Sequence, residues 1–320
     1  MPNQIEKLYY GVKGILHNKL HFDPFECSIC HNYAGVPIIS PESMNMAIKD
    51  SIMSGKPLMV GRFGGFEVLA MRSAEFNEKE KMKEAIDYLD KSAGFFPKDE
   101  SLLYRFNDIM KFSCADVDYL GCWLVNYEDY YIKKYCKNLI KTGKLMSIEP
   151  WNVMDNPWTS ALKGKKVLVI HPFEKTIMSQ YEKREKLFAN PDVLPEFTLH
   201  TLKAVQTSGS ATDDRFETWF DALQYMCDEC DKIDFDIALI GCGAYGFPLA
   251  AHIKRMGKQA VHLGGVLQIL FGIKGRRWDE SDTHLMYNEH WVYPDKSEIP
   301  AGAEKVENAC YWEVKNEEEK

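Results

Sequence analysis

The chain has 320 residues, 45% hydrophobic and 27% charged, a profile that excludes disordered, collagen-like and coiled-coil proteins. Its 39 Lys and Arg stand against 47 Asp and Glu, a formal charge of -8, so no general basic field exists to hold a nucleic-acid backbone and nucleic acid is not an expected partner. No run of roughly 18 uncharged apolar residues occurs, and Met1-Pro2-Asn3-Gln4-Ile5-Glu6-Lys7 lacks the basic-then-apolar pattern of an export signal; the expected location is cytoplasmic, without a transmembrane segment, and peripheral membrane association stays open.

Residues 1–41 are aromatic-rich without a period and read as a cap on an α/β domain over 42–314, with a charged, disordered tail at 315–320. The periodicity predicts a helix over 41–53, a strand over 56–61 and a helix from 67, then amphipathic helices over 77–96 and 100–112, broken by Gly94 and Pro97. A strand follows over 117–125, a helix over 127–139 and a short strand over 143–148. Lys165-Lys166-Val167-Leu168-Val169-Ile170-His171-Pro172 has the charged entry and apolar run of a buried parallel strand, with a helix over 174–188 behind it. A strand over 198–205, a helix over 213–230 and a βαβ unit over 235–263 complete the pattern. The alternation predicts a doubly wound, Rossmann-like, mostly parallel sheet with helices on both faces and a ligand crevice at the carboxyl ends of the strands.

Nine cysteines without an export signal are expected as reduced thiols. Cys27-Ser28-Ile29-Cys30-His31 has the spacing of haem attachment, a chemistry of exported proteins. Cys27/Cys30 and Cys227/Cys230 could share a zinc ion, but their separation along the chain and the place of Cys227 and Cys230 on a predicted amphipathic helix favour simple packing.

Chemistry is expected in the loops after the strands. In Ile240-Gly241-Cys242-Gly243-Ala244-Tyr245-Gly246, the glycines at 241, 243 and 246 follow a strand and open a helix, a G-x-G-x-x-G turn that offers backbone N–H groups to a phosphate. The alternative is that these glycines only permit tight strand-to-helix packing. A dinucleotide fold places an acidic residue about twenty positions on; His262-Leu263-Gly264-Gly265 stands in that region, which argues against NAD(P) and for another nucleotide or sugar. Gly265 lies in a second glycine turn, and Lys274, Arg276 and Arg277 follow as a basic cluster able to neutralise a diphosphate, or as a solvated helix end. Arg62 and Glu67, in Val60-Gly61-Arg62-Phe63-Gly64-Gly65-Phe66-Glu67, form either a salt bridge at a helix start or a ligand clamp.

On these residues the chain resembles the bacterial glycosyltransferases of the GT-D fold, long filed as a domain of unknown function. Their signature Arg-Phe-Gly-Asp-Gly-Glu is matched at Arg62, Phe63, Gly64 and Glu67, and their glycine turn and following strand are similar to 241–263, so the likeness runs over about 56–278. The resemblance implies a glycosyltransferase moving a sugar from a nucleotide-diphosphate sugar to a glycan or glycoconjugate acceptor, in bacterial surface-polysaccharide or glycoprotein assembly. It also implies a divalent cation, Mn2+ or Mg2+, at an Asp-x-Glu element. Gly65 stands where that Asp belongs, leaving Glu67 alone or with a carboxylate from elsewhere such as Asp118 or Glu149. The expected binding residues are Arg62, Phe63, Gly64, Gly241, Gly243, Tyr245, Gly246, Gly265, Lys274, Arg276 and Arg277. Glu67 is either metal ligand or base, and Glu149 is the second candidate base. An NAD(P)-dependent oxidoreductase and a non-catalytic nucleotide-sugar-binding protein are the alternatives.

By position alone, Trp151 and Asn152 beside Glu149, His171, and the polar loop Gln206-Thr207-Ser208-Gly209-Ser210 are further candidates for the crevice, the alternatives being a satisfied structural histidine and a loop that only leads into a helix. The aromatic carboxyl segment (Trp278, Tyr287, Trp291, Tyr293, Tyr311, Trp312) either covers the pocket or packs the core.

Overall fold

A computed structural model describes residues 4–20 and 22–313. The chain opens with helix α1 (Gln4–Leu20), where no periodic element was expected. Ile5, Leu8, Tyr9 and Val12 do recur at helical spacing, but Gly11 and Gly14, poor helix formers, obscure it. Those glycines let the helix lie close on the segment before α6: a Cβ at 14 would meet Asn126 Oδ1 at 2.0 Å, and the Tyr127 hydroxyl donates to the Lys7 carbonyl at 2.8 Å. A small hairpin, β1 (Asn32–Tyr33) with β2 (Val36–Pro37), leads into α2 (Pro41–Met53), which starts at Ser40, whose hydroxyl accepts from the Ser43 N–H.

The first half of the main fold is β3 (Leu58–Arg62), α3 (Gly65–Glu75), α4 (Lys79–Tyr88), α5 (Leu102–Cys114), β4 (Tyr119–Cys122), α6 (Glu128–Tyr135) and β5 (Lys141–Lys144). The helix predicted over 77–96 stops at Tyr88, continues as a π turn over Leu89–Ala93 and ends at left-handed Gly94. The strand predicted over 143–148 lies earlier, because the chain turns at Leu145 and the Ser147 hydroxyl donates to the Lys144 carbonyl at 2.6 Å. The second half is β6 (Lys166–His171), α7 (Glu174–Tyr181), β7 (Thr198–Lys203), α8 (Trp219–Lys232), β8 (Ile237–Ile240), α9 (Gly246–Arg255), β9 (Gln259–His262), α10 (Leu267–Leu270) and α11 (Arg276–Asp279). Helix α8 begins later than predicted, where Thr218 and Asp221 form a reciprocal capping box.

Seven strands pair throughout in parallel, in the order β5-β4-β3-β9-β8-β6-β7, with helices on both faces. Side chains alternate between two cores: Met59, Leu168, Ile170, Ala238 and Ile240 pack under α3, α5, α8 and α9, while Val60, Val167, Val169, Leu239 and Val261 pack under α2, α7 and α10. Covered on both sides, the inner strands β6 and β8 carry the continuous apolar runs that made them legible, while the edge strands β5 and β7 are more polar. This is the doubly wound α/β architecture.

The connections place the crevices. After β3 the chain rises into α3 on one face, and after its neighbour β9 into α10 on the other, so a gap opens between their carboxyl ends. The same divergence separates β8, followed by α9, from β6, followed by α7. None of the described helices is long and apolar enough to cross a membrane.

Candidate functional site

The gap between β3 and β9 is a cleft of about 260 Å³, walled by Arg62, Gly64, Glu67, Trp123, His262 and Arg277, with Gly243, Gly264, Gly265, Glu307 and Tyr311 completing it. Arg62, the last residue of β3, is partly buried and lies with its guanidinium carbon 4.3 Å from the centre of the Trp123 ring. It makes no hydrogen bond or ion pair with any described residue. A guanidinium with five donors and no acceptor, held against an indole at the carboxyl edge of a sheet, is a ready anion site. Burial lowers its pKa, opposed by the phenol of Tyr311 and by Glu67 and Glu149.

Glu67 sits in the first turn of α3 and folds back over Gly64, where a Cβ would lie 1.7 Å from its Oε2. Gly64 is thus needed for the carboxylate to reach this place. Burial raises the Glu67 pKa, against the pull of its own backbone N–H and of Arg62. Arg277, at the start of α11, crosses from the other side: it pairs with Glu307 and donates to the Tyr311 hydroxyl at 3.4 Å. Glu307, Asn308 and Ala309 are all left-handed, at φ 46, 58 and 59, a strained strap of roughly 1 kcal/mol or more per residue. It is tied down by Arg277 and by the Arg276 guanidinium, which donates to the Asn308 carbonyl at 3.1 Å. His262, 5% exposed, is neutral, since burial with Arg62 beside it pushes its pKa down to about 3.

A second, smaller crevice of about 80 Å³ opens between β8 and β6 and shares Ser92, Ala93, Gly243, Gly265 and Tyr311 with the first. His171, Gln206, Thr207, Tyr245 and Trp312 line it. The two therefore lie side by side along the strand ends.

The structure brings Arg62, Gly64, Glu67, Gly243, Gly265 and Arg277 together in the cleft, and Gly241 and Tyr245 into the adjoining crevice. It places the other candidates elsewhere. Phe63 is fully buried against Phe247, ring centres 4.8 Å apart. Gly246 backs onto His262, whose ring a Cβ would meet at 2.2 Å, and Gly241 backs onto the Gly264 carbonyl at 2.7 Å, so both serve close packing. Lys274 lies over Tyr287 and Tyr293, and Arg276 pairs with Glu280. Glu149 accepts from Asn152 at 3.1 Å and does not line the cleft, although its charge is felt by Arg62. Asp118 holds Lys254 and the Met59 N–H at the opposite end of the strands. Cys227 and Cys230 are buried in the core beneath α8, and Cys27 and Cys30 stand on the amino-terminal segment. Of the carboxyl-terminal aromatics, Tyr311 and Trp312 reach the crevice, while Trp291 is buried against Phe188. Sequence reasoning missed Ser92, Trp123, His262 and Glu307; only their positions one residue beyond or at the end of β4 and β9 marked Trp123 and His262.

The cleft does not suit the divalent cation that the resemblance implies. Gly65 supplies no donor, the Glu67 carboxylate is turned back on its own helix start, Glu307 is engaged by Arg277, and no three His, Cys, Asp or Glu side chains converge among the described residues. The unpaired positive charge here is that of Arg62, with Arg277, paired to Glu307, on the opposite wall.

Trp123 is held from behind. Its N–H and that of Leu124 donate to the two carboxylate oxygens of buried Glu128 at 3.1 and 2.8 Å, and the Tyr33 hydroxyl adds a contact at 3.3 Å. Burial pushes Glu128 from 4.5 up to about 7, with Asp129 adding to it; Cys122, and Asp129 paired with Lys13, also face this region. The folded chain then holds a proton that the unfolded chain releases, so this group's stabilisation is complete below about pH 4.5 and is lost as pH rises through about 7, a decline of about 3 kcal/mol. Unfolding free energies from urea titration at pH 5 and pH 8 should differ by about 2.5 kcal/mol more in the native chain than in Glu128→Gln; equal differences in both would remove Glu128 as the cause.

No family model matches the chain, and no curated protein matches it. Two solved structures are similar to it, each 13% identical over 83% of this chain and 93% of the other: a selenomethionine-substituted structure of domain of unknown function 1792, TM-score 0.46, and a structure of that highly conserved domain described as having a distinct glycosyltransferase fold, TM-score 0.45.

Proposed function

We propose that this chain is a glycosyltransferase that moves a sugar from a nucleotide-diphosphate sugar to a hydroxyl of a glycan or glycoconjugate acceptor, in bacterial surface-polysaccharide or glycoprotein assembly. The observation that carries the reading is the unpaired Arg62 guanidinium at the β3/β9 crevice, facing Arg277 across a cleft that also holds Glu67. The Arg-Phe-Gly signature with Glu67 supports it from the sequence.

In this reading the diphosphate lies between Arg62 and Arg277, with Gly243 and Gly265 allowing the backbone to approach it. The bond from the sugar's anomeric carbon to the diphosphate breaks, the leaving group keeps the electron pair, and the two guanidiniums offset its developing charge. The acceptor oxygen bonds to the anomeric carbon, and its proton passes to the Glu67 carboxylate. Burial, which raises the Glu67 pKa, makes that carboxylate a better base than an exposed one. The nucleotide-binding oxidoreductase reading is weaker, because Gly241 and Gly246 are occupied with packing and β9 ends in His262 and not in a ribose-binding acid.

A thermal-shift panel of UDP, GDP, CDP, TDP and NAD, each with EDTA or manganese, tests this. One nucleoside diphosphate should stabilise the fold, by roughly the 2.7 kcal/mol that a hundredfold excess over Kd supplies, and so raise the melting temperature, and EDTA should leave the shift intact. Stabilisation by NAD alone, or by no diphosphate, would overturn the proposal.

A further inference from the structure

The crevice between β8 and β6 differs from the cleft in one respect: among its lining residues there is no Asp, Glu, Lys or Arg. Its polar groups are neutral. His171, 3% exposed, accepts the Phe173 N–H on Nδ1 at 3.0 Å, so its proton is on Nε2, which has no partner among the described residues. The partly buried Gln206 amide likewise makes no side-chain hydrogen bond to a described residue, and the Thr207 hydroxyl, having donated to the Gly94 carbonyl at 2.6 Å, keeps lone pairs to accept with. The crevice thus presents neutral donors and acceptors but no charge to whatever enters it.

Its aromatic side chains are engaged with one another and with Trp219. One face of Tyr245 is stacked on Trp219 at 4.9 Å and 11°, while Phe173 and Tyr311 each meet Trp312 edge-on, at 67° and 87°. A planar base stacks on an exposed ring, and Trp123, 41% exposed beside Arg62 in the neighbouring cleft, is such a ring. A polyhydroxyl ring needs convergent donors and acceptors instead, as this crevice supplies. At about 80 Å³ it holds several times the roughly 10–15 Å³ that one water requires, and it borders the diphosphate cleft at Gly243 and Gly265, where no side chain stands between them.

We infer that the β8/β6 crevice receives the sugar of the donor and admits only an uncharged one, a neutral hexose or N-acetylhexosamine, with His171 and Gln206 reading its hydroxyls. This rests on the proposed donor class. A sugar carboxylate entering here would lose its hydration with no cation to replace it, a penalty of about 10- to 100-fold in affinity.

The test is titration calorimetry with the nucleoside diphosphate found in the panel above, its glucose and galactose conjugates, and the matching glucuronate and galacturonate conjugates. The native chain should bind at least one neutral conjugate about 10-fold or more tighter than its uronate. His171→Gln and the more exposed Gln206→Ala should each weaken that conjugate about 5-fold while leaving the free diphosphate within about 2-fold. Equal affinity for neutral and acidic conjugates overturns this inference alone, as does an equal loss of free diphosphate binding in both variants, which would place the base in the crevice. Absence of any diphosphate binding overturns the donor class as well.

Discussion

Arg62→Ala should reduce affinity for the nucleoside diphosphate by about 100-fold, while the melting temperature falls by no more than a few degrees. A charge-assisted, bidentate contact to phosphate in a partly dry cleft is worth about 2–3 kcal/mol, and Arg62 has no other partner in the described chain to share it with. Because no ion pair is broken, the loss to folding is the stacking on Trp123, about 1 kcal/mol or less. Arg62→Lys should recover little, since an ammonium neither forks onto a phosphate nor lies flat on an indole. Calorimetry with the diphosphate and a melting curve on the same samples decide it: unchanged affinity makes Arg62 a structural residue, and a melting temperature that collapses with the affinity makes the binding loss uninterpretable as a contact.

Glu67→Gln should lower turnover by about 10²- to 10⁴-fold, with donor binding nearly intact. The competing role for this residue is purely local. Its carboxylate lies at the start of α3 over Gly64, where an acid is favoured by the helix dipole, and that role is worth about 0.5–1 kcal/mol. The two roles separate cleanly, because a helix-start acid changed to its amide costs a little stability and no chemistry. Release of nucleoside diphosphate from the donor in the presence of an acceptor, followed alongside the melting temperature, reads both. Normal turnover with a slightly lowered melting temperature would remove Glu67 from the reaction and favour a protein that binds its nucleotide sugar without transferring it.

Much of the architecture was legible from the chain because its strands are covered on both faces. Val167-Leu168-Val169-Ile170 and Ile237-Ala238-Leu239-Ile240 are continuous apolar runs, and their helices carry caps and breakers that mark their ends. The boundaries that slipped are those where tertiary contact overrode local pattern. Helix α1 was hidden by Gly11 and Gly14, which its packing against Asn126 and Tyr127 requires. The edge strand β5 ends where Ser147 turns the chain back, a local bond that periodicity does not register.

The site divides in the same way. Local spacing was enough to mark residues just past strand ends, so Arg62, Gly64, Glu67, Gly243 and Gly265 could be named from the sequence and do meet at the β3/β9 crevice. Spacing also gathered Lys274, Arg276 and Arg277 into one cluster, because it sees how near residues are along the chain and not which way α11 turns them. Only the fold sends Arg277 into the cleft while Arg276 turns to Glu280 and Lys274 to Tyr287. Trp123, His262, Ser92 and Glu307 come from four separate segments whose meeting depends on strand order, and strand order is a long-range property with no local signal. The sequence by itself determined the alternating parallel sheet and the strand-end loops that line the candidate site; the tertiary structure alone decided which of those loops lie together, since that follows from helices leaving adjacent strands toward opposite faces.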